Sequence, residues 1–364
     1  MKLVLAVAGL IGLAVASALA VQQLNRGEQF RVLMTTGDQA LQRHLTAQPP
    51  MNPAFSVIFL TTLCGAAQGL FIALWGAEVA GFGYDAQERG FFVLGGFVAL
   101  VLTALGLVAS FFHLGRPERA WRTATMWRTS WLSREVIALP LFMSLLLLWT
   151  LLHASGRGGT LGVGLLAALA CAALFVCTAM IYASVRFLQE WASAYTLVNY
   201  TLLGLASGFT LAAALASHGP AFNAVPLTPA YTALALFFTA AGLVSRSLSL
   251  LRNARLKPKS TLQSAIGIRH PKVVQKSMGF MGGSFTTREF FHGRTPGALR
   301  RVKWGFLAAA FVLPVLLLWA GLVTRSPVLF GFAFLVQYLG LLAERWFFFA
   351  QANHPQNLYY QAVS

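Results

Sequence analysis

The chain has 364 residues, of which 57% are hydrophobic and only 10% charged, and its 27 Lys and Arg outweigh 10 Asp and Glu to give a net charge of +17. Soluble domains are about a quarter charged, so the composition excludes one and predicts a polytopic membrane protein. In a soluble chain such a surplus of cations would suggest nucleic acid. Here the cations fall between apolar runs, where they act as orientation signals, and no nucleic-acid partner is expected.

Nine apolar runs long enough to cross a bilayer are predicted as helices, near 3–21, 55–77, 91–112, 136–153, 161–184, 196–217, 229–245, 304–323 and 328–349. Each approaches the roughly 20 residues that a spanning helix needs. Period-2 alternation is absent, so the fold class is an all-α polytopic bundle of eight helices plus an extra N-terminal span, and not a barrel. Residues 1–50 form an extension that carries this extra span, 51–350 the eight-helix domain, and 351–364 a C-terminal tail. Within the extension, Lys2, an apolar run and Ala16-Ser17-Ala18 also imitate a secretory signal. Cleavage would leave Arg26, Arg31 and Arg43 outside, against the charge rule, so retention is favoured; a start at Met51 is a third reading.

Alternate connections are expected to share a side. Segments 22–54, 113–135, 185–195 and 246–303 carry 22 Lys and Arg, whereas 78–90, 154–160, 218–228 and 325–327 carry 3. The first set and the C-terminus are therefore expected in the cytoplasm. The long basic segment 246–303 fits either a loop lying on anionic lipid headgroups or a docking platform for a cytoplasmic partner. Its Gly282-Gly283 pair belongs to no phosphate-binding pattern. Cys64, Cys171 and Cys177 all fall within apolar runs and form no CxxC pair, so they read as packing residues and not as metal or disulfide sites.

Ionisable residues at the membrane are costly and worth testing as functional. The main candidates are His113, Arg116, Arg119 and Glu135, at the end of one span and the start of the next. Histidine titrates near neutral pH and a desolvated carboxylate moves toward it, so His113 and Glu135 could relay protons. The same residues also fit an interfacial turn in which Gly115 and Pro117 break the helix and the arginines snorkel. Tyr182, Arg186, Gln189 and Glu190 follow the run 161–184 at the same side and could line a ligand site. His44, His113, His153, His218, His270, His292 and His354 all fall in loops or at span ends, so no buried histidine pair and no haem are expected. Glu344 and Arg345 are expected to pair with each other near the cytoplasmic interface, or to form a second polar wall of a pocket.

The turn His113-Leu114-Gly115-x-Pro117, followed by Arg119-Ala120 and by Glu135 22 positions after the histidine, resembles the dimethyl sulfoxide reductase anchor-subunit family. The resemblance runs from Met51-Asn52-Pro53-Ala54-Phe55 to about residue 350. Within the family, Gln263 to Pro271 and Met278 to Gly293 look most similar to anchors of membrane-bound sulfite dehydrogenases. The resemblance implies a haem-free, quinone-reactive anchor in the bacterial inner membrane. It also implies two partners, a ferredoxin-like iron–sulfur subunit and a molybdopterin catalytic subunit. His113 and Glu135 would correspond to the family's quinone-site histidine and glutamate; Arg116, Arg119 and Tyr182 are added from chemistry and position. The expected activity is transfer of electrons from cytoplasmic sulfite oxidation to quinone. A quinol-oxidising reductase anchor and, from a different class, an autonomous transporter are the alternatives. The N-terminal extension and the long basic loop depart from a minimal anchor.

Overall fold

The computed structural model describes residues 54–83, 85–112, 117–219, 226–257, 261, 263–264, 267–270 and 294–352. The expected span near 3–21 and most of the basic loop lie outside them. Among the described residues there is no strand, and eight helices are long and apolar enough to cross a membrane. They are α1 Phe55–Val79, α2 Ala86–Phe111, α3 Trp131–Ser155, α4 Thr160–Ala183, α5 Ala194–Ser217, α6 Leu227–Ala254, α7 Pro296–Thr324 and α8 Pro327–Ala350. The chain is a multi-pass membrane protein.

Helices form because the bilayer offers no partner for free backbone groups. Hydroxyls within the runs are satisfied locally: Thr62, Thr103, Thr150, Thr210 and Thr232 each donate to the carbonyl four residues earlier. Large apolar side chains such as Leu151, Leu169, Phe237 and Trp319 point outward, as a lipid-facing surface requires. Apolar matter outside gives no drive to bring helices together, so close packing of small residues has to supply it. At the centre, α1 and α5 run parallel and cross on Gly65, Gly69, Gly204 and Gly208. A Cβ on Gly69 would stand 2.2 Å from the Gly204 carbonyl oxygen, and one on Gly208 2.1 Å from the Gly69 carbonyl carbon.

Around this crossing the helices fall into two groups of four, α1–α4 and α5–α8, with α1 and α5 each packed against the other group as well as their own. The sequence showed no internal repeat, but this arrangement repeats a four-helix unit.

Three predicted boundaries require correction. Helix α6 runs on to Ala254, so Arg246, counted with the loop cations, is inside a span and 1% exposed. Helix α3 begins at Trp131, which puts Glu135 one turn into the helix. Helix α7 begins at Pro296 and carries Arg300, Arg301 and Lys303 on its first turns.

Midway, α7 widens into a π-helical turn over Ala308–Val312 just before Pro314. Proline has no N–H for the carbonyl four residues earlier, that of Ala310. Gln337 from α8 donates to that oxygen at 3.3 Å and to Thr239 Oγ1 on α6 at 3.0 Å. The kink is thus tied to two neighbouring helices.

Candidate functional site

One end of the bundle gathers the C-termini of α2, α4, α6 and α8 with the N-termini of α1, α3, α5 and α7. Here a 3-10 helix, Pro117–Met126, packs against α3. Ser130 caps α3 by accepting from the Ser133 backbone N–H, and Arg134 fastens the preceding turn by donating to the Trp127 and Arg128 carbonyls at 2.9 and 2.8 Å. The exposed face pairs three arginines each with a tryptophan: Arg122 with Trp121, Arg128 with Trp127 and Arg134 with Trp131. Such pairs suit a boundary between apolar and aqueous phases.

Beneath this segment lies a cleft between α1, α3, α4 and α5. Its walls include Thr61, Gly65 and Gln68 of α1, Glu135 and Leu139 of α3, Thr178 of α4 and Tyr200 of α5. It spans about 340 Å³ of atom-free space counting its open mouth, and its enclosed part has room for about one water molecule. Glu135 is 8% exposed, and the Thr178 hydroxyl donates to its Oε1 at 2.5 Å. A buried carboxylate without a full counter-ion is costly and persists only where something holds it. Gln68 closes the deeper end by donating to the Cys171 carbonyl at 2.9 Å.

The expected site residues separate in space. Glu135 lines the cleft. Tyr182, one turn beyond Thr178 on α4, joins an aromatic cluster beside it, stacked on Tyr200 at 5.6 Å and edge-on to Trp191 at 5.4 Å. Trp191 in turn donates to the Phe348 carbonyl at 3.0 Å and so ties the α4–α5 turn to α8. Arg119 is exposed on the 3-10 helix. His113 and Arg116 lie outside the described residues.

One expectation about charge is overturned. Glu344 does not pair with its neighbour: its Oε1 stands 2.7 Å from Arg246 Nε of α6, both side chains being buried. Adjacent residues point to different sides of a helix, so Arg345 instead lies flat on the Tyr200 ring, its guanidinium carbon 3.6 Å from the centroid. A second buried charged contact lies at the opposite end of the bundle. His153, 4% exposed near the far end of α3, stands 3.4 Å from the buried Glu78 carboxylate of α1. Trp149 Nε1 donates to the other Glu78 oxygen at 2.8 Å, and Phe92 stacks on the imidazole at 5.1 Å.

Sequence reasoning missed Thr178, Tyr200, Arg246 and the Glu78–His153 pair. A signal for Arg246 was present, since Ser245, Ser249 and Arg252 continue helical spacing past the apolar run. Among the described residues no group of three His, Cys, Asp or Glu could hold a metal ion.

Eight long apolar helices packed as one bundle, with a buried carboxylate in a cleft at one end, define a polytopic membrane protein. Residues 51–270 match the model of the DMSO reductase anchor subunit family (DmsC), and the chain belongs to that family as a membrane anchor. It is 53% identical over 330 residues to the sulfite dehydrogenase C subunit of Allochromatium vinosum, covering 86% of this chain and all of that protein. It is also 32% identical over 179 residues to the anaerobic dimethyl sulfoxide reductase chain YnfH of Escherichia coli K12, covering 47% of this chain and 63% of that protein.

Proposed function

We propose that this chain is the quinone-reducing anchor of a sulfite:quinone oxidoreductase. A molybdopterin subunit oxidises sulfite with water to sulfate, releasing two electrons and two protons. A ferredoxin-like iron–sulfur subunit carries the electrons to the membrane, and quinone at the Glu135 cleft takes two electrons and two protons to become quinol. The chain itself contributes the quinone end alone. Its basic connections, on the side of the Glu135 cleft, face the cytoplasm, where both partners dock.

The observation that carries this reading is Glu135, a buried carboxylate that opens onto a cleft and is held by a single hydroxyl donor. Such a group can give a proton to a carbonyl oxygen within reach and be reloaded from the nearby aqueous side, which is general acid catalysis. His113, 22 positions earlier, is the reloading group in this reading. The cleft as it stands encloses about one water molecule, so a quinone ring enters by displacing the leucine side chains of its walls, Leu60, Leu139 and Leu174. The likeness to the sulfite dehydrogenase C subunit over the whole of that protein supports sulfite as the electron source. The opposite sense, from quinol to an oxidised substrate, has the support of the shorter likeness to YnfH.

Glu135→Gln keeps the size and the hydrogen bond of this side chain but removes its exchangeable acid. The expected result is quinone reduction lost or slowed at least a hundredfold, consistent with the loss of a general acid worth about 10²–10⁴, with sulfite oxidation by an artificial acceptor unchanged. Unchanged quinone reduction would overturn the reading.

A further inference from the structure

Tyr200 lines the cleft, and its hydroxyl, fully buried, makes no hydrogen bond. An orphaned buried hydroxyl is rare and needs an explanation. The Tyr182 ring stacks on it at 5.6 Å, and Phe348 meets it edge-on at 5.8 Å. On its face lies the Arg345 guanidinium, 4% exposed and 3.6 Å from the centroid, whose Nε also finds no hydrogen-bond partner. Arg345 is not neutralised by its neighbour in sequence, because Glu344 is committed to Arg246. The molecule thus holds a cation against the ring of a phenol whose own O–H is unused, at the edge of a cleft that contains Glu135.

We infer that Tyr200 is the second hydrogen-bond donor to the quinone and that Arg345 is the residue that positions and strengthens it. A para-quinone carries carbonyl oxygens on opposite edges of one ring. The cleft draws proton-bearing groups from three helices, Glu135 from α3 with Thr178 from α4, and Tyr200 from α5. Gly65 of α1 also lines the cleft, without a side chain. As the quinone is reduced, negative charge builds on its oxygens. A phenol O–H aimed at one of them stabilises that charge, and a cation on the phenol's π face draws electron density from the hydroxyl and makes it a better donor. Tyr200 touches the substrate in this arrangement, whereas Arg345 acts through Tyr200. The inference rests on the quinone reading of the Glu135 cleft.

The test uses the intact complex in membranes with a short-tailed benzoquinone as acceptor. Tyr200→Phe is expected to raise the KM for the quinone about tenfold, the worth of one hydrogen bond to a polar group left unmade, while sulfite oxidation by an artificial acceptor is unchanged. Infrared spectra with a ¹³C-labelled carbonyl give a readout that a merely structural role would not move. The stretch of one carbonyl rises in Tyr200→Phe and rises by less in Arg345→Lys. If Tyr200→Phe does not assemble, 3-fluorotyrosine at position 200 keeps the ring and its packing, makes the hydroxyl more acidic, and lowers the stretch. Wild-type KM and carbonyl frequency in Tyr200→Phe, or an unmoved frequency with the fluorinated ring, would overturn this inference while Glu135→Gln still abolished quinone reduction. Quinone reduction that survived Glu135→Gln would overturn both.

Discussion

Gly69 and Gly208 meet backbone to backbone: a Cβ on Gly208 would stand 2.1 Å from the carbonyl carbon of Gly69 and 2.2 Å from the Leu70 nitrogen. No side-chain rearrangement can relieve that contact, because both partners are main chain. The α1–α5 crossing also sets the cleft, since Gly65 and Gln68 enter it from α1 and Tyr200 from α5. Gly208→Val is therefore expected to separate the two four-helix groups, with a cost above the about 1–3 kcal/mol typical of overpacking a core. Gly76→Ala on the same helix α1 has nothing within 4 Å of its new Cβ and is expected to be neutral. Comparing membrane levels and thermal midpoints of the two variants checks this; equal behaviour would remove the crossing from its central place.

Thr178→Val removes one hydroxyl at almost constant volume. It deletes the donor to Glu135 Oε1 and leaves the helix intact. Hydrogen bonds to charged groups are worth about 1.5–3 kcal/mol, so quinone reduction is expected to fall about 10- to 100-fold if the bond holds Glu135 in its working position. The rate with an artificial acceptor should stay at the wild-type value. Thr178→Ser, which restores a donor, is expected to recover most of the loss.

The eight spans were legible because each is a run of apolar residues of the right length, a property that needs no knowledge of neighbours. Glu135 was legible for a related reason, as a charge at the opening of such a run. Thr178 and Tyr200 were not. A hydroxyl inside an apolar run usually bonds the carbonyl one turn back, as Thr62 and Thr210 do here, and only the packing of α3, α4 and α5 brings Thr178 onto Glu135 and Tyr200 into the same cleft. Arg246 was misread because the hydropathy of α6 falls before the helix ends. Its partner Glu344 lies on another helix nearly a hundred positions away, and sequence adjacency suggested Arg345 in its place.

Arg246 and Glu344 are both buried, and Arg246 also stands near the aromatic face of Phe306, its guanidinium carbon 5.6 Å from the centroid. Removing one charge of a buried pair strands the other at a cost of about 3–5 kcal/mol. Glu344→Gln is expected to lower the thermal midpoint and the amount of assembled chain sharply. Replacing both partners, Glu344→Gln with Arg246→Met, removes the stranded cation, and the double variant is expected to be more stable than Glu344→Gln alone. A double variant at least as unstable as the sum of the singles would show that the pair contributes no coupling.

Glu78, His153 and Trp149 sit at the far end of α1 and α3, on the same helices as the cleft but at the opposite limit of the bundle. Between the two ends, Phe71 packs on Phe142 at 5.6 Å and on Trp149 at 5.5 Å. The far cluster therefore ties α1 to α3 without touching the Glu135 cleft. Glu78→Gln keeps an acceptor for the Trp149 N–H but loses the charge facing His153, and Trp149→Phe loses the donor while keeping an aromatic ring against Phe71. Both are expected to lower the thermal midpoint of the complex: Trp149→Phe loses a hydrogen bond to a charged group, worth about 1.5–3 kcal/mol, and Glu78→Gln loses the charge 3.4 Å from the buried His153. Both are expected to leave the quinone KM within about twofold of wild type. Steady-state rates beside thermal unfolding of the same membrane preparations separate the two effects, and a quinone defect in Glu78→Gln comparable to that of Glu135→Gln would mean that the two ends of the helix pair are functionally joined.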